Sequence, residues 1–215
     1  SSDNPDMVVT VGLLSMQVQD FEGAENYLTQ ALKLNPKDPN AVRFSLGQIS
    51  EERKQYDKAN DWYKSITEGE QYFQAQIKIA SLMARQNKLT DAREYLRNVK
   101  TDSAAQKVQI VMAQAGMLRE AKAYKDSFDT LDAGLKEYPD NLDLLYDRAM
   151  AAEKVDRLEV LEEDLRKLIK LKPDHAHAYN ALGYTLADRT NRYDEAHELI
   201  KKALEIAPED PFIVD

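Results

Sequence analysis

The chain has 215 residues, of which 43% are hydrophobic and 31% charged, a balance that favours a folded protein over a disordered one. Its 29 basic and 38 acidic residues give a formal net charge of −9 without a basic block, which argues against nucleic acid and anionic membrane surfaces as partners. No stretch has the ~18 uncharged apolar residues of a membrane span, and the lack of cysteine excludes disulfides and thiolate chemistry.

The sequence repeats with a period of about 34 residues. One series of mostly small residues steps along the chain by 35, 33, 35, 34 and 35 positions: Ala24, Ala59, Ala92, Ser127, Leu161 and Ala196. A second series of small residues lies twelve positions earlier, or thirteen in the last case: Gly12, Gly47, Ala80, Ala115, Ala149 and Gly183. Four positions after the first series stand large apolar residues: Leu28, Tyr63, Leu96, Leu131, Leu165 and Ile200.

Small and large positions that alternate at helical spacing predict a helical hairpin repeated six times, because small residues let two helices approach closely. We expect repeats at approximately 5–38, 40–72, 73–106, 108–141, 142–175 and 176–209, with a further helix starting at 210–215. Candidate N-caps precede most first helices, at Asn4, Asp38, Asp102 or Ser103, Asp140 or Asn141, Asp174 and Asp210.

Three residues depart from this pattern. Gly69 stands where a proline would close the second repeat, and it suits a left-handed helix cap. Gln114 and Arg148 occupy positions that are usually apolar, so we expect irregular packing around them. Trp62 is interpreted as a packing residue between hairpins.

The whole pattern resembles the tetratricopeptide repeat (TPR), and the sixth repeat matches it best, with Tyr179, Leu182, Gly183, Tyr193, Ala196, Ile200, Ala203 and Pro208 in the family's places. The resemblance implies an all-α fold: a right-handed α-solenoid of about six hairpins that forms a single domain over 1–215 and is a fragment of a longer array. It also implies a non-catalytic scaffold or adaptor that binds a protein or peptide.

In this family the first helix of each repeat lines a concave groove. Carried over to this chain, the groove candidates are Leu13, Phe44, Ile77, Met112, Tyr146, Met150, Asn180 and Tyr184. Family members that bind chaperones clamp a terminal carboxylate with Lys and Asn, but here apolar and aromatic residues occupy those places, so we expect apolar anchors instead. The alternative is that each side chain packs against its own neighbouring helix.

Catalytic and metal-binding patterns have little support in the sequence. His175 and His177 sit at a helix start, where two imidazoles and an acid would suit zinc. The simpler interpretation is an N-cap at Asp174 beside two exposed histidines, because side chains at i and i+2 diverge on a helix. The sequence therefore predicts no catalytic residue, no cofactor and no metal site.

A narrower resemblance concerns the C-terminal end. Residues 179–190, 193–196 and 207–211 look like the tetratricopeptide lipoproteins of proteobacterial outer membranes. That resemblance implies a lipidated N-terminus outside this sequence, a periplasmic location, and an adaptor that presents substrates to a carboxyl-terminal processing protease. The alternatives are a cytoplasmic location and an architectural subunit of an envelope assembly that uses end or convex-face contacts, and oligomerisation stays open.

Overall fold

The computed structural model describes residues 4–214, and this part of the chain contains thirteen helices and no strand, which confirms the predicted all-α class. The first six helices are α1 (Pro5–Gln17), α2 (Phe21–Lys33), α3 (Pro39–Glu52), α4 (Tyr56–Lys64), α5 (Tyr72–Arg85) and α6 (Leu89–Arg97). The others are α7 (Ala104–Glu120), α8 (Tyr124–Glu137), α9 (Leu142–Lys154), α10 (Leu158–Leu171), α11 (Ala176–Arg189), α12 (Tyr193–Ile206) and α13 (Pro211–Val214).

The helices belong to two compact units, residues 1–102 with α1 to α6 and residues 103–215 with α7 to α13. Within each unit, consecutive helices pack in pairs as hairpins, α1 with α2 through α5 with α6 in unit 1 and α7 with α8 through α11 with α12 in unit 2. Each hairpin also packs on the next one in its unit. A single array over 1–215 and the repeat boundaries stay predictions.

The predicted small positions lie at the contact between the two helices of each hairpin. All six members of the series from Gly12 to Gly183 are buried. A Cβ atom added to Gly12 would lie 2.7 Å from Cγ of Leu28, and one added to Gly183 would lie 2.8 Å from Cγ1 of Ile200. Since carbon atoms in contact need about 3.5–4.0 Å, these hairpins have no room for a larger residue there.

Five hairpin turns share one backbone geometry. Each contains a residue with φ between 57° and 64°, two positions before the second helix: Gln19, Lys54, Asn87, Lys122 and Asp156. The next N–H bonds the carbonyl five residues back, as from Ala123 to Leu118 at 2.8 Å, which is the Schellman arrangement. The last hairpin has one more residue between its small positions, and its turn uses extended Thr190 instead.

Side chains cap most of the first helices as predicted. Asn4, Asp38, Ser103 and Asn141 each accept a hydrogen bond from a backbone N–H in the first turn. The prediction of Asp174 was wrong, because α11 starts at Ala176 and the residue before it is therefore the cap. Nδ1 of His175 accepts from the N–H of Ala178 at 3.1 Å.

Gly69 and Trp62 have the roles that the sequence predicted. Gly69 has φ +89°, the left-handed conformation expected of it. Trp62 packs against the core formed by α2 and α3, as the sequence predicted.

Arg148 is paired with two carboxylates in unit 2, and the three charged residues together line a cavity. Its Nη2 and Nε lie 2.6 and 2.8 Å from the two carboxylate oxygens of Asp164, and its Nη1 lies 2.8 Å from Asp132. The side chain of Asp164 is only 2% exposed. The two hydrogen bonds that Arg148 donates to the Asp164 carboxylate are the main reason why the pKa of Arg148 is raised. Arg148 thereby joins α8, α9 and α10.

Replacing Arg148 with Met is expected to lower the free energy of unfolding by about 3 kcal/mol, because it leaves the Asp164 carboxylate buried without a cation. Urea unfolding followed by circular dichroism measures the loss. Lys125→Met is the matched control, since its pair with Asp129 is exposed and is expected to contribute little to stability. Equal losses in the two variants would contradict the role given to Arg148.

Candidate functional site

The three groove candidates of unit 1 have different surroundings. Leu13 is 44% exposed and, with Val9, lines a shallow cavity between α1 and α3. Phe44 is half-buried, and its ring centroid lies 5.4 Å from that of Tyr63. Ile77 is half-buried on α5. Of the three, Leu13 presents the most apolar surface to solvent, while Phe44 packs on its own hairpin.

The five candidates of unit 2 lie on its first helices α7, α9 and α11. Met112 and Tyr146 pack partly against the core, and Tyr146 also stacks on His175 with ring centroids 5.6 Å apart. Burial raises the pKa of Tyr146. Nδ2 of Asn180 lies 3.5 Å from the carbonyl oxygen of Phe212. Tyr184 is 64% exposed.

The fifth candidate, Met150, lines a cavity of about 200 Å³ between α7, α8 and α9. Most of the wall is apolar, and charged side chains stand around it. The lining consists of Ala115, Arg119, Tyr124, Ser127, Leu131, Asp147, Met150, Ala151, Glu153 and Lys154. The hydroxyl of Ser127 donates to the carbonyl of Ala115 at 2.8 Å, so its hydrogen is already used within the protein.

The charged residues of this cavity differ in how far they are buried. Asp147 is half-buried, and among residues 4–214 its carboxylate has neither a hydrogen bond nor an ion pair. Burial raises the pKa of Asp147 above its usual value, and the charge of Arg119 opposes this shift only in part. Arg119 and Lys154 are exposed, and Nζ of Lys154 lies 5.8 Å from the centre of the Tyr124 ring.

Sequence reasoning missed Asp147. The groove candidates do not include it, although they include its neighbour Tyr146. A usable signal was present, since Asp147 and Arg148 are the two charged residues that interrupt the otherwise apolar middle of α9. The structure places Arg148 against two carboxylates and Asp147 beside a cavity.

The histidines at the start of α11 have structural contacts. His175 caps the helix, and burial lowers its pKa, which favours the neutral imidazole that the cap requires. Nε2 of His177 lies 2.9 Å from Asp210. Within residues 4–214 the structure gathers no three His, Asp or Glu side chains suited to a metal ion. In the same range no helix has the length and apolar character needed to cross a membrane.

A model of the tetratricopeptide repeat family matches residues 12–73 and 146–211. The chain belongs to this family. TPR proteins generally mediate protein–protein interactions and are generally non-catalytic. This TPR chain is 38% identical over 176 residues to a TPR repeat-containing protein of Pseudomonas aeruginosa, an alignment that covers 82% of the chain and 30% of that relative. The chain thus spans about 30% of the length of the curated relative.

Solved TPR structures share the fold at low sequence identity. The C-terminal part of a TPR repeat-containing protein from Cytophaga hutchinsonii matches with a TM-score of 0.59 and 14% identity, over 99% of this chain and 87% of that one. A crystal structure of MamA matches with a TM-score of 0.56 and 20% identity, over 76% of this chain and 95% of that one. Both support the helical-hairpin fold.

Asp147→Asn is expected to raise the thermal unfolding midpoint at pH 7. Because burial raises the folded-state pKa, the charged carboxylate costs stability above the usual Asp pKa near 3.8, and Asn removes that charge. At pH 3 the carboxyl group is mostly protonated in both states, so the gain is expected to shrink. Asp143→Asn, an exposed change one turn earlier on α9, is the control and is expected to give a smaller gain, because it removes only a neighbouring negative charge that adds to the shift. A lower midpoint for Asp147→Asn at pH 7 would contradict this account.

Proposed function

We propose that this chain is a non-catalytic adaptor that binds a protein or peptide partner through the first helices of its hairpins. In unit 2 we assign the contact surface to α7, α9 and α11, around the cavity beside Met150. That cavity is the observation that carries the proposal, because its wall is mostly apolar and charged residues also line it. An apolar pocket of this kind accepts one anchor side chain of a partner.

The size and chemistry of the surface favour a polypeptide partner. A cavity of about 200 Å³ is smaller than the ~300 to 1,000 Å³ typical of sites for small molecules and cofactors. Met150 has a flexible side chain that adapts to anchors of different shape. Tyr184, exposed on α11, adds an aromatic group of the type enriched at protein interfaces.

The proposal extends to a compartment and a client. We place the protein in the bacterial periplasm, attached to the outer membrane through a lipidated N-terminus, where it presents substrates to a carboxyl-terminal processing protease. This part is supported by the sequence resemblance of residues 179–190, 193–196 and 207–211 to outer-membrane TPR lipoproteins. The lack of cysteine is compatible with the periplasm and with the cytosol.

Capture from bacterial extracts tests the adaptor function. The whole chain is immobilised, incubated separately with periplasmic and cytoplasmic extracts, and the bound proteins are identified by mass spectrometry. In the variant Met150→Gln with Tyr184→Gln, we expect the main partner to be bound at least tenfold less. The matched control is Leu171→Gln with Tyr193→Gln, which changes one aliphatic residue and one tyrosine, both exposed on second helices of the same unit.

Circular dichroism must show equal helicity in both variants. A partner retained by the Met150 and Tyr184 variant but lost by the control would contradict the assignment to the first helices. A partner that comes only from the cytoplasmic extract would contradict the periplasmic part of the proposal.

A second candidate, an architectural subunit that makes end contacts, is favoured by the exposed face of α1. Four large apolar residues at helical spacing, each between 41% and 75% exposed, form a stripe there: Met7, Val11, Leu14 and Val18. One repeat later the equivalents of the first three are Val42, Leu46 and Ile49 of α3, which are at most 3% exposed and lie in one core with Ala24 and Leu28 of α2. A helix docked on α1 would repeat that contact.

Light scattering over a range of protein concentrations tests this candidate. It predicts that the mass rises with concentration, and that Val11→Lys with Leu14→Lys gives a monomer because two charges then lie on the stripe. Tyr193→Lys is the control and is expected to associate like the unmodified chain. A constant monomer mass for the unmodified chain would rule out association through this face.

A further inference from the structure

The cavity between α7, α8 and α9 combines an apolar wall with one poorly neutralised carboxylate. We infer that it binds the side chain of a lysine or arginine from the partner polypeptide, with the aliphatic stem against Leu131 and Met150 and the cationic end at Asp147. The inference rests on the proposed function, because it names the chemistry of the residue that anchors the partner.

The stem of such a side chain fits the wall of the cavity. Ala115, Leu131, Met150 and Ala151 line the mostly apolar wall. The cavity volume of about 200 Å³ accommodates a chain of three or four methylene groups. Lysine and arginine commonly bury their stems along apolar surface and keep the charged end at the edge. Asp147 lines the same cavity, so its carboxylate is available to that charged end.

A cation suits this site better than the alternatives. Asp147 is half-buried without a hydrogen bond or ion pair among the described residues, and a bound cation would compensate its lost hydration. An uncharged apolar side chain would bury the carboxylate further and leave it unpaired, which costs free energy. An anion would add a second negative charge beside Asp147 and near Glu153, which also lines the cavity.

The two basic residues at the cavity do not prevent this binding. Arg119 and Lys154 have long side chains and are exposed, so both can turn toward solvent, and Lys154 already contacts the ring of Tyr124. The side chain of Asp147 is short and α9 holds it at the wall. Its carboxylate therefore remains at the cavity when the basic side chains move.

Three small probes with four carbon atoms each separate these possibilities: n-butylammonium, 1-butanol and butyrate. Each is titrated into the whole chain labelled with ¹³C at the methionine methyl groups, and the Met150 signal, assigned through Met150→Gln, reports on the cavity. We expect n-butylammonium to bind at least tenfold more tightly than 1-butanol or butyrate. Asp147→Asn is expected to abolish the preference for the cation, whereas Asp143→Asn, the control on the same helix, is expected to preserve it.

Three outcomes would overturn the inference: similar binding of all three probes or of none, tighter binding of butyrate, or a cation preference that survives Asp147→Asn. The adaptor proposal fails in a different experiment. If capture yields a partner that depends on Met150 and Tyr184 while the probes show no cation preference, the adaptor stands and the inference falls. If the cation preference depends on Asp147 and capture yields no partner, the inference about the cavity stands and the adaptor falls.

Discussion

The structure depends on one close contact that recurs in every hairpin. The first helix presents a glycine or alanine, and in the hairpins of Gly12 and Gly183 the large side chain that faces it is Leu28 or Ile200 of the second helix. A pair of helices this close buries one side of the first helix against its own partner. Within a unit, the first helix of the next hairpin also packs against the second helix of the hairpin before it. In unit 2 the helices α7, α8 and α9 leave a cavity between them, which we assign to a partner.

Two adjacent residues of α9 illustrate how stability and binding separate on such a helix. Successive side chains on an α-helix point about 100° apart, so Arg148 and Asp147 face different neighbours. Arg148 meets Asp132 and Asp164, and all three charges are satisfied within unit 2. Asp147 lines the cavity and has no such partner among residues 4–214. An unpaired charge that costs stability is typical of a functional site, which is why we assign binding to Asp147 and a structural role to Arg148.

The groove candidates show how far periodicity reaches. The candidates carried over from the family resemblance lie on first helices, but the repeat register did not separate exposed side chains from packed ones. Tyr184 is exposed, whereas Phe44 and Tyr146 contact Tyr63 and His175. Helical spacing gives the angle at which a side chain leaves the helix axis, but not the depth to which neighbouring residues cover it. For the same reason Asp147 was missed, since its importance comes from a cavity that three helices form together.

The sequence alone determined the all-α class, the approximate period of the hairpins and the positions where helices approach each other closely. Each of these follows from residue size and spacing along one continuous chain. Only the tertiary structure decided that His175 rather than Asp174 caps α11, that Arg148 is paired, and that Asp147 faces a cavity. The first outcome depends on a shift of one residue in the start of a helix. The other two depend on which groups from other helices lie within a few ångströms. Distances between residues far apart in sequence arise only when the hairpins pack together.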